Sequence, residues 1–333
     1  VPSAAFVRHV LIALGLVAAA LFLWRVSYAV LLAFGGVLFA VLLRGLAARI
    51  AEHSPLGMRG SLAMVGVALV ALALGAAALI GPQIAAQADE LAATITRGIE
   101  QARGYLEQTR WGREVLSSAS ESVPQAGDVV GAVTTLFSGG LNALLGLVLV
   151  LFTGIYFAAA PRVYTEGVVL LFPRGRQQRA REVLAATHRA LWSWLLGQFV
   201  VMIAVGTLTA IGLLLAGVPL AVPLGLIAGL LEFIPFLGPI VAFVPVILVA
   251  LAAGPETALH AALVFLVIQQ LEGHVLTPLV QRWAVSLPPA LVIVGAIAFA
   301  LVFGTLGAIF ATPLLVVAVV WVKMLYMHDT LGE

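Results

Sequence analysis

The sequence predicts an all-α protein: a polytopic transmembrane helical bundle of about eight crossings, with one or two re-entrant helical hairpins and an extracytoplasmic helical segment. Three observations predict it. Of 333 residues, 62% are hydrophobic and only 10% charged, where a soluble chain carries about 25% charged residues to stay solvated. Mean hydropathy is +1.14. The few charges are clustered, leaving long uncharged stretches at 26–43, 60–88, 129–161, 190–231, 233–255 and 283–322. A soluble enzyme and a disordered chain are both excluded, the first by its need for a polar exterior and the second by its need for low hydrophobicity. The absence of cysteine removes disulfide scaffolds, thiolate metal sites and cysteine nucleophiles. A net charge of +2 gives no overall field for nucleic acid.

About 20 apolar residues carry a helix across the hydrocarbon core. On that length, spans are expected near 8–24, 26–43, 61–81 and 139–160, the first two divided by an interfacial turn at Arg25 and Tyr28. The first has a basic start (Arg8, His9) but no cleavable polar region after it, so it is expected to be retained. Residues 82–138 carry four arginines and seven acids. Within them Ile84, Ala88, Leu91, Ile95, Ile99, Ala102 and Leu106 recur three or four apart, the mark of a helix with one apolar seam. The seam can fold onto its own chain, pack on the same helix of another subunit or lie on the membrane. Leu91, Ile95 and Ile99 are its candidate oligomer contacts.

A further span at 192–216 ends at Gly217 and Pro219, and apolar sequence resumes to Ala253 through Pro223, Pro235, Gly238, Pro239 and Pro245. Twelve residues of helix from Pro223 reach only about 18 Å, too short to cross. The stretch 223–253 is therefore expected to enter the bilayer and return, with its tip at Pro235–Pro239. Broken backbone is tolerated at that depth only against protein or a watered cavity. Spans at 258–280, 288–303 and 305–322 complete the count. Arginines crowd the 44–59 and 161–190 loops, which the positive-inside rule puts in the cytoplasm together with both termini. Four regions follow: N-terminal helices 1–81, the extracytoplasmic segment 82–138, a helix with its basic loop 139–190, and a transport core 191–333. Trp192, Trp194, Trp283 and Trp321 are expected as interfacial anchors.

Two stretches resemble each other. Leu237-Gly238-Pro239-Ile240-Val241-Ala242 and Leu306-Gly307-Ala308-Ile309-Phe310-Ala311 share Leu-Gly-x-Ile-x-Ala, each with a breaker three residues before the Gly (Pro235, Gly304) and a later proline (Pro245, Pro313). Repeats with discontinuous helices are how secondary transporters build a midplane site. If this repeat is structural, 288–322 is a second hairpin and the crossings fall to six.

Polar residues are expensive at bilayer depth and by default mark a function. The run Gln269-Gln270-Leu271-Glu272-Gly273-His274, with Thr277 and Pro278 after it, concentrates them. Gln270, Glu272 and His274 are candidates to line a path, and Pro278 removes an amide and frees a carbonyl beside them. The alternative for Glu272 is a place at the membrane surface, as expected for Arg282. Glu232, just before the first hairpin tip, is the other candidate, either on the path or capping the broken backbone at Pro235 and Gly238. Asn142, Gln198, Thr207 and Thr209 are expected in interhelical hydrogen bonds. No metal-ligand spacing, nucleophile elbow or phosphate loop occurs, so no enzyme activity, metal or cofactor is expected.

The run Leu230-Leu231-Glu232-Phe233-Ile234-Pro235-Phe236-Leu237-Gly238-Pro239, with Pro245 after it, resembles the autoinducer-2 exporter family of bacterial permeases. So do Gly154-Ile155-Tyr156-Phe157 with Pro161, Phe172-Pro173, Gln270-x-Glu272 with Leu276-x-Pro278, and Phe303-Gly304-x-Leu306-Gly307 with Pro313. Where many members have Glu-Asn, this chain has Glu272-Gly273. The resemblance implies a multi-spanning bacterial inner-membrane permease forming a ring-shaped homo-oligomer, a pentamer. It also implies export of autoinducer-2, a quorum-sensing furanone, in some members and sodium or lithium/proton antiport in others. Three functions are therefore weighed: a gradient-driven exporter of small polar solutes, a monovalent cation/proton antiporter using Glu232 or Glu272, and a non-transporting membrane scaffold. Broken helices and buried acids are needed by the first two and not by the third.

Overall fold

The computed structural model describes residues 4–108, 141–281 and 287–331, and among them no strand occurs. Arg282, Trp283 and the 109–138 part of the extracytoplasmic segment lie outside the described residues. The helices are α1 (Ala4–His53), α2 (Gly57–Gln108), α3 (Leu141–Ala159), α4 (Pro161–Val169), α5 (Gln177–Leu215), α6 (Ala221–Leu231), α7 (Leu237–Ala253), α8 (Pro255–Leu271), α9 (Thr277–Gln281) and α10 (Pro289–Trp321). Single turns of other pitch connect some of them. Among the described residues, four stretches are long and apolar enough to cross a membrane, Arg25–His53, Arg174–Leu215, Pro255–Val280 and Pro289–Tyr326, and a fifth if α3 and α4 are one bent span.

Two expectations at the N-terminal end are corrected. The spans at 8–24 and 26–43 are one unbroken α1 of 50 residues, about 75 Å of helix at 1.5 Å per residue. No Gly or Pro stands between residues 16 and 34, and Arg25, itself a good helix former, does not end a helix. The first residues of α1 therefore lie far along the helix from the arginine-rich 44–59 turn. Likewise α2 runs through the expected boundary at 81 and joins the span to the seam in 52 residues.

The seam folds onto its own chain. Leu91 and Ile95 are fully buried in a cluster with Leu213, Leu224, Val246 and Val249, and Ile99 packs against it. Leu91 and Ile95 are thus satisfied within one chain by an apolar face that α7 supplies, and Ile99 is half-buried beside them.

The first hairpin is α6, the bend at 232–236, and α7. Eleven and 17 residues make about 16 and 25 Å, both short of the roughly 30 Å hydrocarbon core. α6 lies on α5 at backbone contact: a Cβ on Gly206 would stand 3.1 Å from both the Gly225 carbonyl and the Gly229 Cα. Small residues four apart on both helices permit that approach. α7 packs on α2 and α8.

A second reversal lies inside α10. Gly304 has φ 67° and ψ −153°, a region open essentially to glycine alone. A Cβ on Gly295 would lie 2.6 Å from Leu315 Cδ1, although a straight helix would hold those positions about 30 Å apart. Residues 289–303 and 305–321 are thus folded against each other. The two Leu-Gly repeats also share a local geometry. A Cβ on Gly238 would strike the Leu231 carbonyl, and one on Gly307 the Phe299 carbonyl. Each glycine lets the returning helix sit on the end of the one before it.

The basic turns share one end of the bundle. Arg44 Nη1 donates to the Ala158 carbonyl at 2.8 Å, and Arg179 Nη2 donates to the Met324 carbonyl at 2.9 Å. The 44–59 turn, the α3–α5 connection and the end of α10 therefore lie together.

Candidate functional site

The tip of the first hairpin does not pack solidly against its neighbours. It closes one side of a cavity of about 670 Å³ whose other walls are α5, α8 with the turn after it, and the two arms of α10. The walls are mostly apolar, with Trp194, Val201, Phe243, Phe265 and Val292 prominent, and the polar groups are few: Gln198, Glu232, Gln269, Glu272, Thr277 and Thr312. A concave, mostly apolar space with a handful of polar groups is the usual form of a small-molecule site.

Glu232 follows the last residue of α6. A helix end leaves its last carbonyls without partners, and here Gln198 Nε2 donates to the Glu232 backbone carbonyl at 2.6 Å. Gln198 is thus an interhelical hydrogen bonder, as the sequence suggested, and it also lines the cavity. The Glu232 carboxyl does not cap the broken backbone: only 2% of the residue is exposed, yet Oε2 has no hydrogen-bond partner. A buried, unsatisfied carboxyl oxygen costs about 1–3 kcal/mol or more, which the fold accepts at the cavity wall. Pro235 and Pro239 line the same wall, and Gly238 is buried beneath them. Phe236, also lining it, has φ 66° and ψ −44°, strain of about 1–3 kcal/mol for a non-glycine residue.

Glu272 reaches the cavity from the opposite side. α8 ends at Leu271 and the chain continues through a π-helical turn, Glu272–Leu276, in which the Thr277 amide bonds the Glu272 carbonyl. Pro278, which has no amide to donate, follows at once, and a widened turn is the common response to an interrupted ladder. The turn puts Glu272, Gly273 and Thr277 on the cavity. Glu232 and Glu272 thus line the same cavity.

Gln270 and His274 lie elsewhere. Both are exposed, outside the cavity lining, and His274 Nδ1 sits 3.0 Å from the Gln270 carbonyl. The amide that faces the cavity is Gln269, whose Nε2 is buried without a partner. Pro278 is exposed, whereas Gly307 and Pro313 are buried, the latter next to the cavity residue Thr312. Gly304 is the hinge of the second reversal. Trp194, expected as an interfacial anchor, is instead buried and meets Phe233 edge to face at 5.6 Å. Sequence spacing alone could not find Trp194, Gln198 or Thr312, because each comes from a helix remote in the chain. No cluster of potential metal ligands occurs among the described residues.

The chain is similar to proteins described as "Putative transport protein". YueF of Bacillus subtilis (strain 168) is 28% identical over 198 residues, covering 60% of this chain and 53% of the relative. MT0215 of Mycobacterium tuberculosis is 35% identical over 167 residues, covering 50% of this chain and 46% of the relative. The matched region thus spans about half the length of these curated relatives. The family profile described as AI-2E family transporter matches residues 10–327, nearly the whole sequence, and the chain belongs to that family.

Proposed function

We propose that the protein is a gradient-driven membrane exporter of small polar solutes, autoinducer-2 among them, and that its path runs through the cavity between the two hairpins. The observation that carries this reading is the cavity itself: about 670 Å³, within the range of small-molecule sites, with two carboxyls and a strained hairpin tip on its wall. The names of the relatives and of the family support transport. Glu232 and Glu272 hold or release protons, the first hairpin gates access, and Gln198, Gln269 and Thr277 contact the solute. Gln270 and His274 lie outside this chamber.

A second reading, monovalent cation (Na⁺ or Li⁺)/proton antiport, is favoured by one observation: two acids, the buried Glu232 and the half-buried Glu272, face one space. Both readings place the protein in a bacterial inner membrane with its arginine-rich end and C-terminus in the cytoplasm. Assembly as a homo-oligomer, the pentamer that the resemblance implies, belongs to the same proposal but must use a face other than the 91–99 seam. Purified protein in liposomes under a pH gradient separates the readings. Accumulation of a labelled furanone or similar solute supports export, and proton release driven by Na⁺ or Li⁺ alone overturns it in favour of antiport.

A further inference from the structure

A second cavity, of about 380 Å³, lies at the arginine-rich end, away from the chamber described above. Its walls include Val168 and Phe172 around the end of α4, Arg176 and Arg179 at the start of α5, and Trp321 at the end of α10. We propose that this cavity binds the headgroup and upper acyl region of an anionic glycerophospholipid.

The level of the cavity follows from α4. It is bent 84° from α3, so if α3 crosses the bilayer, α4 runs nearly along its surface. The helix and the turn after it face outward with apolar side chains: Val163 is 69% exposed, Leu170 70% and Leu171 82%. Arg162 precedes them and Glu166 lies among them, the latter paired with Arg181 at 2.8 Å. Apolar side chains outward and charges beside them describe a segment seated at the headgroup boundary. The cavity opens behind that segment.

Its charge suits an anion. Residues 161–190 carry six arginines against two glutamates. Of the two arginines on the cavity, Arg179 bonds Glu182 at 2.8 Å and the Met324 carbonyl. Arg176 has no ion pair among the described residues and is exposed. A guanidinium fork matches phosphate oxygens, and the apolar walls match the glycerol and first acyl carbons, which a free anion would leave empty. The Trp321 wall is held in place, since its indole N–H donates to Thr187 Oγ1 at 3.1 Å. Basic pockets between membrane helices at this level are where anionic headgroups bind.

The test uses the purified full chain in neutral detergent, titrated with phosphatidylglycerol, phosphatidylcholine or inorganic phosphate. Melting temperature and native mass spectrometry are the readouts. Phosphatidylglycerol should raise the melting temperature saturably and remain bound, with little effect of the other two. Arg176→Gln should melt like wild type without lipid and bind phosphatidylglycerol at least threefold more weakly, and Arg176→Lys should recover part of that loss. Equal stabilisation by phosphatidylcholine overturns the proposal, as does undiminished phosphatidylglycerol binding by Arg176→Gln. Full reproduction of the effect by phosphate alone also overturns it, making the cavity a site for soluble anions. Should Arg176→Gln fold poorly, the comparison of the three ligands on the wild-type chain still decides.

Discussion

Shortening Leu91 separates the two places where the α2 seam could be satisfied. Leu91 is fully buried against residues of the first hairpin and α5. Leu→Ala at a fully buried site costs about 2.7–5 kcal/mol, the larger figure where neighbours cannot collapse into the space. Collapse is restricted here, because Ile95 and Val246 are themselves fully buried and sit on opposing helices. Unfolding temperatures fall by about 2–4 °C per kcal/mol in chains of 150–250 residues, and less in longer ones. For 333 residues the lower slope applies, and Leu91→Ala should lower the melting temperature by roughly 5–10 °C. Adding Ile95→Val should cost about 0.5–1.5 kcal/mol more, not strictly additively because the two residues share neighbours. Particle mass, measured by size-exclusion with light scattering, should not change. A variant that melts with wild type while its particle shrinks would refute the reasoning, since the seam would then lie between subunits.

Other substitutions probe the chamber and the hairpins. Glu272→Gln keeps shape and most hydrogen bonds but cannot exchange a proton, so folding should persist while transport loses its pH dependence; wild-type rates at every pH from about 6 to 8 would remove Glu272 from coupling. Gln198→Leu strips the donor from the buried Glu232 carbonyl and should destabilise by about 1–3 kcal/mol; an unchanged melting temperature would show that water takes the donor's place. Gly304→Ala forces a side chain into glycine-only backbone at a cost of about 1–3 kcal/mol, whereas Gly273→Ala, with nothing within 4 Å of its Cβ position, should be tolerated; equal behaviour of the two would argue against the reversal in α10. Single cysteines at Ala221 and Gly254 should both react with an impermeant thiol reagent from the extracytoplasmic side, and labelling of either from the cytoplasm only would make 223–253 a crossing.

Much of this architecture could be read from the chain, for reasons that differ by residue. Proline and glycine act locally, so the bend at Pro235 and the reversal at Gly304 were visible in one dimension, as was the likeness of the two Leu-Gly stretches. Charge is a poorer guide to helix ends. Arg25 looked like a boundary because membranes exclude charge, but a helix ends only when its ladder is broken, and nothing near Arg25 breaks it. The acids of the chamber were legible because Glu232 stands alone in apolar sequence and Glu272 is the one acid of a polar run between apolar stretches. The amide beside Glu272 was not. Choosing Gln270 over Gln269 assumed regular α-helical spacing to His274, and the π-turn at 272–276 shifts that register. Gln198 and Trp194 reach the site only through the docking of α6 on α5, a tertiary fact with no local signature.

The two arms of the first hairpin answer to different masters. α6 is seated backbone to backbone on α5 by three glycines, while α7 is anchored through Val246 and Val249 to α2. Five residues, 232–236, connect the arms. Any sliding of α5 past α2, however small, has to be absorbed by those five, as slack or tension in a short tether. Among them are Glu232, Pro235 and the strained Phe236, all on the chamber wall. The shape of the chamber is therefore geared to the relative height of two helices that never need to touch it together.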